Sequence, residues 1–145
     1  MLMVRLAEHR DVAAMHVIRL AVRENPLPAM LGIGAKSYVP FVDAACAWVA
    51  DRDGTVLGFA ALDEARSEVW ALFVDPNSES GGIGRALHGC LLARAAERHL
   101  FPLRLATSAD TRAVAFYRRA GWHETGRDRH GQVLFEIQVL PPVWG

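Results

Sequence analysis

The stretch from Glu68 to Arg98 constrains the fold of this chain more than any other; it reads EVWALFVDPNSESGGIGRALHGCLLARAAER. Its first part, Val69 to Val74, is an apolar run with β-branched and aromatic members, which is typical of a buried strand. Turn-forming residues and glycines follow, and from Ile83 the apolar residues recur at helical spacing. The sequence therefore predicts a strand, a sharp glycine-rich turn and a helix.

Three glycines, Gly81, Gly82 and Gly84, stand where the predicted turn meets the predicted helix. Glycine lets a ligand approach the backbone closely, and the free N–H groups and positive dipole end of a helix bind anions, most naturally phosphate. Two known phosphate loops do not match, because the dinucleotide fingerprint requires glycine at Leu87 and the nucleoside triphosphate loop requires lysine where Arg85 stands. Two interpretations remain open at this point, an anion site of another kind or glycines that only cap and connect.

Length and composition indicate one soluble globular domain spanning residues 1–145. The 16 basic residues balance 16 acidic ones, so the chain lacks the charge excess that would favour a nucleic-acid partner. No segment has the layout of a signal peptide or the length of a membrane span, and we expect a cytoplasmic protein without a membrane partner. Cys46 and Cys90 are expected to be buried free thiols. The six histidines show no metal-ligand spacing, so no metal is expected.

The spacing of apolar residues predicts the element order β-α-α-β-β-β-α-β-α-β-β, which is a mixed sheet with helices on both faces. Pro40 argues against a regular second helix, Asp53-Gly54 indicates a hairpin, and Gly121 is the expected C-cap of the last helix. The predicted elements are a strand at Met3–Ala7, a helix from Asp11 to about Glu24, a less regular helix at Ala35–Ala44, strands at Ala47–Ala50, Val56–Leu62 and Val69–Val74, a helix from Ile83 to near His99, a strand at Leu103–Thr107, a helix from Asp110 or Thr111 to Ala120, and strands at Trp122–Arg127 and Val133–Val139.

A second motif, DTRAVAFYRRAGW, runs from Asp110 to Trp122. It is similar to the pattern Asn-x-x-Ala-x-x-Phe-Tyr-x-x-x-Gly-Phe of the GNAT superfamily of acetyl-CoA-dependent N-acyltransferases. Residues 79–84, ESGGIG, resemble the Gln/Arg-x-x-Gly-x-Gly/Ala loop of the same superfamily. Both motifs stand in the right order in the right element pattern, and the resemblance covers essentially the whole chain. It implies an α/β (α+β) fold with a mixed, mostly antiparallel central sheet.

Three positions depart from the family patterns: Glu79 replaces Gln or Arg, Asp110 replaces Asn, and Trp122 replaces Phe. Because Glu79 would bring a negative charge near a pyrophosphate, we expect its side chain to point away. Phosphate binding would then rest on backbone N–H groups and on Arg85. Asp110 would contact coenzyme A as the family asparagine does, although capping of the helix is an equal alternative.

The resemblance implies acetyl-CoA as cosubstrate, held where the central strand and the strand after the loop helix splay apart at their C-terminal ends. Main-chain groups of the central strand would hydrogen-bond to the pantetheine arm and polarise the acetyl carbonyl, and we expect a bulge there to free them. The expected cofactor-binding residues are Leu72, Phe73, Val74, Ser80, Gly81, Gly82, Ile83, Gly84, Arg85 and Asp110.

Two residues are the candidates for catalysis. In the family, the tyrosine at the position of Tyr117 faces the sulfur and is the usual general acid, since a thiolate leaves when an amine displaces the thioester. The structural alternative is that Tyr117 packs its ring beside Phe116. A base is required because an alkylammonium has no lone pair near neutral pH. Glu68 is the candidate, at the offset of the catalytic glutamate of the histone-acetylating branch; a solvent-facing charge there or a water chain as the base are the alternatives.

We expect the acceptor site beneath the first helix, the loop after it and the C-terminal hairpin. The residues expected near it are Arg23, Glu24 and Asn25, with Tyr38, Trp48 and Trp70 as walls. The expected reaction is direct acetyl transfer to a primary amine of a small molecule or peptide, since neither cysteine is placed as a nucleophile. The alternative is an acyl-CoA-binding regulatory module without turnover, and a nucleic-acid module is a distant third. Members of the family are often homodimers, so a dimer is possible.

Overall fold

The computed structural model describes residues 1–22, 32–109 and 111–138, with the side chains of Glu79 and Ser80 outside that description. The described elements follow the predicted order. They are β1 Leu2–Leu6, α1 Val12–Ala21, α2 Val39–Asp43, β2 Ala47–Arg52, β3 Thr55–Asp63, β4 Glu68–Val74, α3 Ile83–Glu97, β5 Leu103–Thr107, α4 Arg112–Arg119, β6 His123–Arg127 and β7 Val133–Ile137.

Within the described ranges, the strands form one seven-stranded sheet in the order β1-β2-β3-β4-β5-β7-β6. Neighbouring strands are antiparallel except β4 and β5, which are parallel. The prediction of a mixed, mostly antiparallel sheet is therefore confirmed. The parallel pair is joined at a single register position, Glu68 opposite Arg104.

Helices cover both faces of the sheet, as predicted. On one face α1 and α2 pack on the sheet through a core that contains Met15, Tyr38 and Phe59, all fully buried. On the other face α3 and α4 pack through a core that contains Leu87 and Phe135. Because strand residues alternate between the two faces, each strand contributes to both cores.

Helix α1 begins where predicted but ends earlier, at Ala21, and Glu24 lies outside the described residues. Asp11 stands at its N-cap, yet the carboxylate makes no capping hydrogen bond. It accepts two hydrogen bonds from the Arg5 guanidinium, at 2.8 and 2.9 Å, and one from the Glu8 N–H at 2.8 Å. Pro40 does not interrupt α2, because it lies in the first turn, where its missing N–H is not needed.

Close contact between β3 and α3 depends on Gly58. A β-carbon there would meet the Phe73 carbonyl oxygen at 3.0 Å and side-chain atoms of Ile83 and Leu87 at 3.1 Å. These distances are tighter than most packed carbon contacts, so a side chain at this position would force β4 and α3 to shift by a few tenths of an ångström.

Near the end of α3, Arg94 and Arg98 both make polar contacts outside the helix. Arg94 donates a hydrogen bond to the Ala45 carbonyl and lies 5.4 Å from the centre of the Trp48 ring. Arg98 donates to Glu64 at 3.0 Å. The late part of α3 is therefore anchored to the loops beside β2 and β3.

Both cysteines are free thiols; Cys46 is buried, as predicted, whereas Cys90 is only half-buried. Burial raises the pKa of the Cys46 thiol to about 11, so it is protonated at neutral pH. The described residues contain no cluster of side chains suited to a metal ion. Among them, no helix is both long and apolar enough to cross a membrane.

Candidate active site

A cleft opens where β4 and β5 separate beyond the Glu68–Arg104 position, which confirms the expected splaying. Its volume is about 640 Å³. The wall is formed by all of β4, the second half of β5, the start of α3 and the inner face of α4. The two sequence motifs, far apart along the chain, therefore meet in one cavity.

The main chain of β4 presents alternate residues to this cleft. The Asp75 N–H donates to the Leu57 carbonyl at 2.8 Å, so the Asp75–Leu57 pair is hydrogen-bonded across β3 and β4. Hydrogen-bonded and non-hydrogen-bonded pairs alternate along an antiparallel ladder, so Phe73 is the next residue of β4 that bonds to β3. The N–H groups of Leu72 and Val74 therefore point away from β3 and toward the cleft. Phe73 also lines the cleft.

The expected bulge in β4 lies earlier than predicted, at Trp70. The register changes from Ala61 opposite Ala71 to Leu62 opposite Val69, which leaves Trp70 as the extra residue. The bulge turns both Trp70 and Ala71 toward the core beneath α1 and α2. The Trp70 carbonyl accepts a hydrogen bond from Arg19 at 3.1 Å.

The start of α3 forms the far end of the cleft. Gly82 adopts a left-handed conformation (φ 73°) as the residue before the helix, a geometry that glycine adopts without strain. Gly82, Gly84 and Arg85 line the cavity. Ile83, between two of these residues, is fully buried in the core. Gly81 is exposed beside this wall.

Tyr117 is placed by the way α4 ends. The Trp122 N–H donates to the Tyr117 carbonyl at 3.0 Å and the Gly121 N–H donates to the Arg118 carbonyl at 3.2 Å. This is a Schellman motif, with Gly121 at φ 96° as the residue that leaves the helix. The turn brings the Trp122 ring edge-on to the Tyr117 ring, 5.6 Å between centres.

Aromatic and apolar side chains enclose the Tyr117 ring. His88 on α3 accepts a hydrogen bond from the Trp122 indole N–H at 3.0 Å, and burial lowers the pKa of His88, so it is neutral. Phe116 and Phe135 pack against Tyr117 with centres 5.4 and 5.8 Å away. Burial raises the pKa of Tyr117 above its ordinary value, so the phenol keeps its proton at neutral pH.

Glu68 lines the same cleft at the end where β4 and β5 still pair. It is half-buried, and burial raises the pKa of its carboxyl group. Asp63 raises this pKa further, whereas Arg66 and Arg104 oppose the shift. The carboxylate is therefore a stronger base than a solvent-exposed glutamate.

Other residues proposed from the sequence are distributed unevenly. Trp70 lines the cleft, Tyr38 is fully buried behind it, and Trp48 lies in the opposite core beneath Arg94. Several expectations concern parts of the chain outside the described residues or side chains: Arg23, Glu24, Asn25 and Asp110, together with the side chains of Glu79 and Ser80.

One cleft residue was not anticipated. Arg19 of α1 lines the cavity, although only 4 % of the residue is exposed. Arg19 is next to Ile18, on the face of α1 that packs on the sheet. Its position in the helix therefore did not indicate that it reaches the cleft.

Comparison with known proteins identifies the fold that these residues build. Residues 40–134 match the family described as acetyltransferase (GNAT) domain. This chain belongs to the GNAT family. The resemblance drawn from the two motifs is thereby confirmed.

This GNAT domain is similar in sequence to part of a longer protein and similar in fold to solved structures of low sequence identity. It is 35 % identical over 132 residues to a mycothiol acetyltransferase of Cellulomonas flavigena, covering 74 % of this chain and 38 % of that protein. The chain thus spans less than two fifths of that relative. An N-acetyltransferase of Staphylococcus aureus Mu50 superposes with TM-score 0.78 at 17 % identity, over 95 % of this chain and 98 % of the other. The structure of yncA from Salmonella typhimurium with its cofactor acetyl-CoA gives TM-score 0.75 at 17 % identity, over 100 % and 98 %.

Proposed function

We propose that this GNAT domain transfers an acetyl group from acetyl-CoA to an amine by direct attack of the amine on the thioester. The observation that carries the proposal is the single cleft that holds the start of α3, the cleft-facing main chain of β4, Tyr117 and Glu68. An anion site, hydrogen-bond donors, a proton donor and a proton acceptor stand along one cavity.

The chemistry of the donors fits coenzyme A. The first N–H groups of α3 have no carbonyl partner within the helix and bind the pyrophosphate, with Arg85 beside them. A β-carbon at Gly84 would contact Val74 and Phe116 at 3.7 and 3.8 Å, so glycine keeps the space between β4 and α4 open for the pantetheine arm. Leu72 and Val74 bond to that arm through their free N–H groups.

Proton transfers fall to the two titratable side chains. Glu68 takes a proton from the acceptor ammonium, directly or through water, because its raised pKa lets it hold that proton. Tyr117 donates its hydroxyl proton, or a hydrogen bond, to the departing thiolate. Bound acetyl-CoA supplies the activated acyl group, and no covalent enzyme intermediate is required. The acceptor is a primary amine of a small molecule or peptide.

The decisive experiment measures release of free thiol from acetyl-CoA in the presence of a panel of amines, with mass spectrometry of the acceptor. Amine-dependent thiol release together with an acceptor 42 Da heavier, the mass of one acetyl group in place of hydrogen, is the expected result. Binding of coenzyme A without transfer to any amine would leave the acyl-CoA-binding module as the function.

A further inference from the structure

Arg19 is a buried cation with unused hydrogen-bond donors. Its Nη2 donates to the Trp70 carbonyl at 3.1 Å, while Nε and Nη1 are buried without any hydrogen-bond partner in the described structure. The guanidinium lies over the Trp70 ring, 4.3 Å from its centre, and 4.9 Å from the centre of the Phe73 ring. These aromatic contacts hold its plane in place without satisfying its N–H groups.

The charge of this group is not balanced within the described residues. Arg19 forms no salt bridge there. The adjacent Tyr38 hydroxyl interacts with the guanidinium, but burial raises the pKa of Tyr38, so the phenol is neutral and does not balance the charge. A guanidinium stays protonated even when burial lowers its pKa. An unpaired buried charge destabilises a folded protein, so its retention at a cleft wall calls for a ligand that pairs with it.

We propose that Arg19 binds a carboxylate of the acceptor, so that the acceptor is an amino acid or a similar small molecule with amine and carboxylate close together. This inference rests on the proposed function, because it names the acceptor of that same cleft. The planar fork of a guanidinium matches a carboxylate, and Arg19 lines the cavity while two of its nitrogens lack hydrogen-bond partners.

Distance along β4 fits a short molecule. The Arg19 guanidinium is tied to the carbonyl of Trp70, and the first free N–H on the cleft side belongs to Leu72. Two strand residues span about 7 Å. A carboxylate at Arg19 would therefore place a nearby amine at the acyl site. A polyamine is disfavoured, because it would bring further positive charge against a buried cation.

The test compares each of the twenty standard amino acids with its carboxamide, which keeps the amine and removes the negative charge. Each compound is titrated by calorimetry into the protein saturated with coenzyme A. We expect at least one amino acid to bind tenfold or more tightly than its amide.

In Arg19→Met that preference should fall to within about twofold, with the affinity for coenzyme A unchanged, because a single charged hydrogen-bonding group is removed. Arg10→Met, at an exposed arginine, is the matched control and should keep the preference.

Two results would overturn the carboxylate site: amides that bind as tightly as the acids, or an Arg19→Met variant that still prefers acids tenfold. Removal of an unpaired buried charge should leave Arg19→Met at least as stable as the wild type. Should that variant fail to fold, Arg19→Lys must bind the acids several-fold more weakly, since it keeps the charge and loses the fork. Acids that bind without thiol release would refute transfer and leave the site standing. Thiol release that is equal with amides would refute the site and leave transfer standing.

Discussion

At the scale of single residues, resemblance to the family motifs predicted Tyr117 and Glu68 as site residues, but nothing in the sequence predicted Arg19. Tyr117 and Glu68 both reach the cleft predicted for them. Arg19 was missed because a helix stripe records only which face is buried, and the contact of Arg19 with Trp70 joins residues 51 positions apart. Only the folded chain brings that pair together.

Replacing Tyr117 with phenylalanine tests the proton donor. The ring is enclosed by aromatic side chains, so Tyr117→Phe should keep the fold and the affinity for coenzyme A while lowering kcat by about 100-fold, the usual contribution of general acid catalysis. Steady-state kinetics and a titration with coenzyme A measure the two quantities. Equal kcat in the two proteins would remove Tyr117 from the reaction.

Replacing Glu68 with glutamine tests the proton acceptor. A base acts only when ionised, so the wild-type rate should rise with pH through the raised pKa of Glu68, and Glu68→Gln should be slower and lack that rise. The same substitution should lower the rate but raise the free energy of unfolding. Burial disfavours the carboxylate in the folded state, so Glu68→Gln should be more stable than the wild type at neutral pH. A pH–rate profile with the inflection retained in Glu68→Gln would assign the base to another group; Glu97→Gln, on the exposed side of α3, is the control.

At the scale of elements, periodicity predicted which helices and strands exist, and tertiary contacts decided their details. The order of strands and helices matched because each apolar run carries its own period. The position of the bulge at Trp70 and the partner of Asp11 were not readable, because both depend on neighbouring strands. The close packing at Gly58 could not be predicted either, because the atoms that approach it belong to α3 and β4.

The anion site at the start of α3 can be tested by charge alone. Gly82 has a left-handed backbone that asparagine tolerates better than most residues, and nothing lies within 4 Å of a β-carbon there. Asparagine and aspartate have the same shape and both suit a helix N-cap. Gly82→Asp should therefore bind coenzyme A at least tenfold more weakly than Gly82→Asn, by calorimetry at low salt, with a smaller difference at 1 M salt. Equal affinities would place the pyrophosphate elsewhere.

At the scale of the whole molecule, an ion cluster fastens the edge of the sheet to α1. Arg5 of β1 holds Asp11 at the start of α1 through two hydrogen bonds and also pairs with Asp51 of β2 at 3.1 Å. The Arg5 guanidinium lowers the pKa of Asp11. Three elements of the fold, β1, α1 and β2, are therefore joined through the Arg5 guanidinium.

Asp11→Asn should lower the free energy of unfolding by about 3 kcal/mol at pH 7, the lower end for breaking a buried pair, because Arg5 keeps Asp51. Since the folded pKa of Asp11 is depressed, this contribution is complete above the unfolded value near 3.9 and disappears as pH falls through the folded value. Urea unfolding at pH 7 and at about pH 2 measures both limits. Asp53→Asn, at a side chain 77 % exposed, is the control, and equal losses in the two variants would contradict the assignment.

The single ladder position between β4 and β5 has a consequence for how this domain responds to its ligand. An extended molecule that bonds to the bare edge of β4 takes the place of a missing strand and ties the two portions of the sheet to each other. Occupancy should then act on the entire domain: the midpoint of heat denaturation climbs with ligand concentration, and amide protons of Leu72 and Val74 become slow to exchange. The cosubstrate would be in effect the last structural member of the fold.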